Sequence, residues 1–185
     1  PTFSYFSGPD RVVERQVRDL IKEGHQVTVF ALGDVDIPVP ESVKVVTLGM
    51  PHSPFLQRLY RLFFFMDLIK VRKAVRMLSG FDKLICHMYP MTILAKKAKK
   101  RYHTHYNYYN MGIAYPHLFR NVAERIYMHL FIYFTKRTVR GADSATSISS
   151  FLREELKKET GVDGDVELCK TDESRFHKGI DGSKI

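Results

Sequence analysis

The sequence contains no tryptophan and only two cysteines, Cys86 and Cys169. Two cysteines cannot supply the disulfide framework of a small secreted domain, and their spacing fits no zinc motif, so a reducing cytoplasm is the expected setting. Long apolar runs are missing too. The longest, "LFFFM" at 62–66 and "LFIYF" at 130–134, fall far short of the roughly 20 residues that cross a bilayer. No secretory leader is visible, and the chain begins without Met in what reads as a loop, which points to a longer native protein. Acids are scarce beside bases: 20 Asp and Glu against 29 Lys and Arg, a formal charge of +9. Such a field favours anionic partners (nucleotide phosphates, nucleic acid or an acidic membrane surface) without choosing among them.

What is present suffices for one folded domain. The 44% hydrophobic and 12% aromatic shares of the 185 residues exclude a disordered chain. "DRVVERQVRDLIKEGH" reads as a helix with Asp10 as its N-terminal cap and Gly24 as its stop. "QVTVFAL" (26–32) and "VKVVTL" (43–48) alternate like strands. A long helix is expected from Ser53 or Pro54 to about Leu78, a short buried strand over 83–87, and a helix from Pro90 into the lysine run. "RYHTHY" follows as a strand or strand end, then a helix over 118–139, the strand "ADSATSIS", a helix that Gly161 ends, and a last strand over 165–169. Strands alternating with helices across short connections predict an α/β fold: a parallel sheet flanked by helices on both faces. Residues 1–170 read as that domain and 171–185 as a polar tail.

Three stretches, in order, resemble the N-terminal, acceptor-side domain of family-four glycosyltransferases, which have the GT-B fold of two Rossmann-like halves. They are "SGPDRVVERQVRDLIKEGHQVTVFAL" (7–32), "YHTHYNYYN" (102–110), and "RGADSATSISSFLREELKK" with "DESRF" (140–176). The chain departs from the family at Ser7-Gly8, where two adjacent glycines are usual, and in its first strand, reduced to "PTFSYF". That strand is central in a doubly wound sheet, so its reduction predicts a gap in the layer. Glu159 and Glu167 have the spacing of the family's paired glutamates but lack the Gly-Phe-Gly-x-Pro context, and the match is accidental.

The resemblance implies a retaining transfer of a sugar from a nucleotide-diphosphate donor to a lipid-linked or polysaccharide acceptor, with no metal or other cofactor. The donor-binding half would be absent here, leaving this chain inactive alone. It implies His103 beside the transferred sugar as a positioning group, and Gly8 with Asp10 at a helix N-terminus near the donor phosphates. If 102–106 is a strand, His105 shares a face with His103, and Tyr106 and Asn107 would help shape acceptor access. A strand-end histidine bonded to backbone and a plain tight turn are the ordinary alternatives for His103 and Gly8. A metal site from Cys86, His87, His103 and His105 is disfavoured because Cys86 and His87 point to opposite faces of one strand.

Two other patterns carry possible partners. Lys96, Lys97, Lys99, Lys100 and Arg101 precede Tyr102, Tyr106, Tyr108 and Tyr109. Basic and stacking groups so interleaved suit single-stranded nucleic acid, but cations at a helix end suit the dipole and solvent equally, and no nucleic-acid partner is expected. The helix from residue 53 to 78 puts Phe55, Leu59, Leu62, Met66 and Ile69 on one face, with Arg58, Arg61, Lys70, Arg72, Lys73 and Arg76 against one acid, Asp67. A basic amphipathic helix enriched in aromatics suits an anionic membrane interface. Arg58, Arg61, Phe64, Phe65, Arg72 and Arg76 are its expected contacts, at the inner face of the membrane. "IYMHLFIYF" (126–134) reads instead as buried core.

Overall fold

A computed structural model describes residues 8–36 and 39–168. The chain opens with helix α1 (Gly8–Lys22), whose C-terminal turn closes through His25 N–H to Leu20 O and Gly24 N–H to Ile21 O. Gly24 lies at φ +87°, the left-handed conformation that glycine adopts without steric cost. Strands β1 (Thr28–Ala31) and β2 (Lys44–Thr47) then pair in parallel. Helices α2 (Pro54–Phe63) and α3 (Leu68–Met77) lead to β3 (Lys83–Cys86). Helix α4 (Met91–Tyr102), β4 (His105–Asn110), α5 (Val122–Val139), β5 (Ser144–Ser147), α6 (Ser150–Thr160) and β6 (Gly164–Val166) complete the described chain.

The fold is α/β and Rossmann-like. Strands β3, β4, β5 and β6 form one parallel sheet in sequence order, with Cys86 opposite Tyr108 and Asn110 opposite Ser147. Among the described residues β1 and β2 form a ladder separate from this sheet; the segment "PTFSYF", read as a reduced first strand, lies outside the described residues. Five of the six residues of β4 are buried, which requires cover on both faces, the normal condition of a parallel sheet. One face meets α4, whose Ile93, Leu94, Ala95 and Ala98 join Tyr106, Tyr108, Val71 and Ala74 in the main core. Phe30 of β1 packs edge-on against Phe81, 5.8 Å between ring centres, tying the two-stranded ladder to the same core.

Three sequence expectations need correcting. The long helix over 53–78 is broken. Asp67 takes a non-helical backbone (φ −76°, ψ 72°), its carboxylate accepts the Lys70 amide at 3.0 Å, and it starts a second helix. The same carboxylate accepts the Tyr60 hydroxyl at 2.7 Å. An aspartate that bonds its own backbone competes with the helix and is at home as a cap. Secondly, α5 is not buried all round: Phe131 and Phe134 pack on the core while Ile126, Leu130 and Tyr133 are exposed. Thirdly, His103 lies in no strand. It is the left-handed cap of α4 (φ 60°, ψ 21°), donating its N–H to Lys99 O at 2.9 Å. The last strand also ends at Val166, and the "DESRF" motif lies outside the described residues.

Candidate functional site

In a parallel sheet every strand starts at one edge and finishes at the other, and ligands of open α/β sheets collect outside the carboxyl ends. The finishing edge is therefore the first place to look. There β3 delivers His87, one residue past its end, level with Tyr109 of β4: the rings are 5.5 Å apart. Helix α1 crosses this edge and places Gln16 Oε1 2.7 Å from His87 Nε2. A carboxamide oxygen only accepts, so Nε2 carries the proton and the lone pair of Nδ1 is left to accept. Burial pushes the imidazole pKa down to about 4, so the ring is neutral at pH 7. A neutral imidazole with a free acceptor nitrogen can take a hydrogen bond from a sugar hydroxyl.

Asn110 ends β4 one residue beyond Tyr109. Its Nδ2 donates to Leu152 O at 3.1 Å and its Oδ1 accepts the Gly112 amide at 3.4 Å, locking the strand end to the first turn of α6 and to the outgoing loop. Ser149 caps α6 through Leu152 N–H at 3.3 Å. The loop leaving β4 then forms an apolar cleft of about 270 Å³ from Ile113, Ala114, Tyr115, Leu118 and Phe119.

The starting edge is different in character. Lys99, Lys100, His103, His105 and Asp143 line a cleft of about 380 Å³. Burial alone would raise the Asp143 pKa. Lys99 Nζ at 2.6 Å and the Tyr106 amide at 2.8 Å outweigh it and hold the carboxyl below its usual range. The charges here are largely paired with each other.

A model of Glycosyltransferase Family 4 matches residues 6–169. The chain belongs to that family. No curated protein matches it. The match supports a function of the glycosyltransferase type.

Several residues singled out in the sequence of this glycosyltransferase lie elsewhere than expected. His103 and His105 sit where β4 begins, the edge away from the strand ends, because α4 must close before the strand can open. Tyr106 is fully buried in the core, and Asn107 is buried with Nδ2 bonded to Ser144 Oγ at 2.9 Å. Both side chains are enclosed by the protein. Gly8 is the first residue of α1, and a Cβ added there would meet nothing within 4 Å. Asp10 therefore falls inside the first turn of α1 rather than at its cap, where its charge still complements the helix dipole. Among the described residues no cluster of three or more His, Cys, Asp or Glu is placed to hold a metal, and Cys86 and His87 stand at the other edge from His103 and His105.

The basic-aromatic strip also separates. Tyr106, Tyr108 and Tyr109 are buried and cannot stack on bases, while Lys96 donates to Arg137 O at 2.7 Å and Lys99 pairs with Asp143. Of the expected membrane contacts, Phe64 is completely buried and Phe65 packs on Phe134 at 5.3 Å. Arg61 is partly buried, with its Nε enclosed, while Arg58, Arg72 and Arg76 are exposed. Among the described residues no helix is long and apolar enough to cross a membrane. Sequence reasoning weighed His87 only as a metal ligand. The signal that could have found it is position: it directly follows the apolar strand "LIC" and precedes a Pro-initiated helix, so it had to emerge at the carboxyl edge.

Proposed function

We propose that this domain is the acceptor-binding half of a retaining glycosyltransferase. The whole enzyme moves a sugar from a nucleotide diphosphate to a lipid-linked or polysaccharide acceptor, in the cytoplasm at the inner face of the membrane. The observation that carries the reading is neutral His87 at the finishing edge, held by Gln16 and packed on Tyr109. In this reading His87 Nδ1 receives a hydrogen bond from the reacting or neighbouring sugar hydroxyl, and the apolar cleft at Ile113–Phe119 takes the lipid portion of the acceptor. The donor lies between this edge, near the start of α1, and a second, donor-binding domain. Helix N-termini and basic groups offset the charge on the departing diphosphate. In this reading His103, which the resemblance implies beside the sugar, serves as the cap of α4. By itself the 185-residue chain turns over little or no donor.

Titration of the isotopically labelled chain with a water-soluble short-chain prenyl diphosphate sugar, followed by histidine-ring NMR, tests this. The expected result is perturbation of His87, with His87→Ala weakening binding at least tenfold and His103→Ala changing it less than twofold. Perturbation confined to His103 and His105 would move the site to the starting edge and overturn the assignment. Robust transfer from radiolabelled nucleotide sugars by the chain alone would overturn the division of labour.

A further inference from the structure

The breaking of the 53–78 segment leaves apolar side chains uncovered. Phe55, Leu59 and Phe63 recur at helical spacing along α2, exposed to 69%, 38% and 39%. On the neighbouring α5, Val122, Ile126, Leu130 and Tyr133 form a second exposed stripe. The two helices meet where Arg58 reaches Glu124 at 3.3 Å. Ile69 on α3 is 83% exposed, and Leu118, 71% exposed, lines the apolar cleft after β4. Soluble proteins rarely leave so many large apolar groups on adjoining helices without a use for them.

The charges around this surface identify its occupant. Beyond Ile69, the outer side of α3 continues with exposed Arg72, Lys73 and Arg76. Arg120 and Arg125 flank the start of α5. Residues 54–77 and 119–140 contain one acid each, Asp67 and Glu124, and both are engaged, by Tyr60 and the Lys70 amide and by Arg58. A second copy of the chain would bring the same cations face to face. Nucleic acid would leave the apolar stripes wet. We propose that the α2–α5 face, with the basic side of α3, docks on an anionic lipid bilayer, the apolar stripes entering the interface and the cations meeting headgroups. This deepens the proposed function by bringing the post-β4 cleft to the surface where a lipid-linked acceptor resides. Vesicle binding needs neither donor nor acceptor, so its failure would leave the acceptor titration standing.

The test uses vesicles of phosphatidylcholine with and without 30 mol% phosphatidylglycerol (roughly the anionic content that gives a sizeable surface potential). The chain should co-sediment with the anionic vesicles and bind the neutral ones far more weakly. Each cation near the surface should contribute about fivefold, so Arg72→Ala/Lys73→Ala/Arg76→Ala should weaken binding by about a hundredfold. Phe55→Ser/Leu59→Ser/Ile126→Ser should weaken it about tenfold or more even on anionic vesicles. Because the sequence lacks tryptophan, single Leu59→Trp and Ile126→Trp variants give a second readout that leaves the fold intact. Their emission should shift to the blue on anionic vesicles and be quenched by brominated acyl chains. Absence of binding, or binding with unshifted tryptophans and an unaffected apolar variant, would overturn the proposal. So would concentration-dependent self-association abolished by the apolar variant in a chain that ignores vesicles.

Discussion

The two edges of the sheet hold similar residue types and treat them in opposite ways. Where strands start, His105 is 47% exposed and stands 3.8 Å from Asp143, which Lys99 already neutralises. Where strands finish, His87 is enclosed between Gln16 and Tyr109, with no charge to stabilise a proton, and its pKa falls to about 4. A solvated, mutually paired cluster mostly holds helix ends and strand starts together. A desolvated neutral group retains hydrogen-bonding capacity that a ligand can use. The histidine-rich "YHTHY" drew attention by composition, whereas position alone sets the environment of His87 apart.

Three experiments break or sharpen that contrast. The largest effect is expected at Gly164, where β6 approaches β5 so closely that an added Cβ would collide with the Ala145 carbonyl. Gly164→Ala should cost on the order of 3 kcal/mol and lower Tm by about 10 °C, seen by calorimetry. A neutral outcome would mean that the close β5–β6 approach is not needed for either edge.

A smaller effect concerns pH. His87 is depressed from about 6.5 when unfolded to about 4 when folded, so the unfolded chain binds the proton first. Its contribution is fully retained above pH 6.5, declines as pH falls towards 4, and changes no further below that. Between pH 7 and 5 this group should remove about 2 kcal/mol of stability. Urea unfolding at the two pH values should show that extra loss in the natural chain and not in His87→Gln. An equal loss in both would deny the desolvated character of this edge.

The smallest effect is at His103. A left-handed non-glycine cap is strained, so His103→Gly should stabilise the domain by about 1 kcal/mol and leave acceptor binding unchanged. A loss of binding would return the catalytic role to the starting edge.

Much of the fold was legible in local sequence. Gly24 and Gly161 marked real left-handed helix stops and the alternating runs real strands, because turn chemistry and periodicity act over a few residues. The break at Asp67 was not read, since an acid inside a strong amphipathic pattern looks like a solvated interruption until Tyr60 and the Lys70 amide are seen to converge on it. The family was legible in the sequence, and the conformation of its histidine segment was not: two histidines two apart fit a strand equally well as they fit a helix cap followed by a strand.

The order of strands and helices, the family, the excess of positive charge and the aromatic-basic character of 54–77 were thus determined by the sequence itself, since each is a property of neighbours along the chain. Which edge each histidine faces, that Tyr106 and Phe64 are buried while Phe55 and Ile126 are bare, and that His87 is neutral were decided only by the tertiary structure. Those properties depend on how water is excluded by segments far apart in the chain, and no short window of sequence contains the atoms that exclude it.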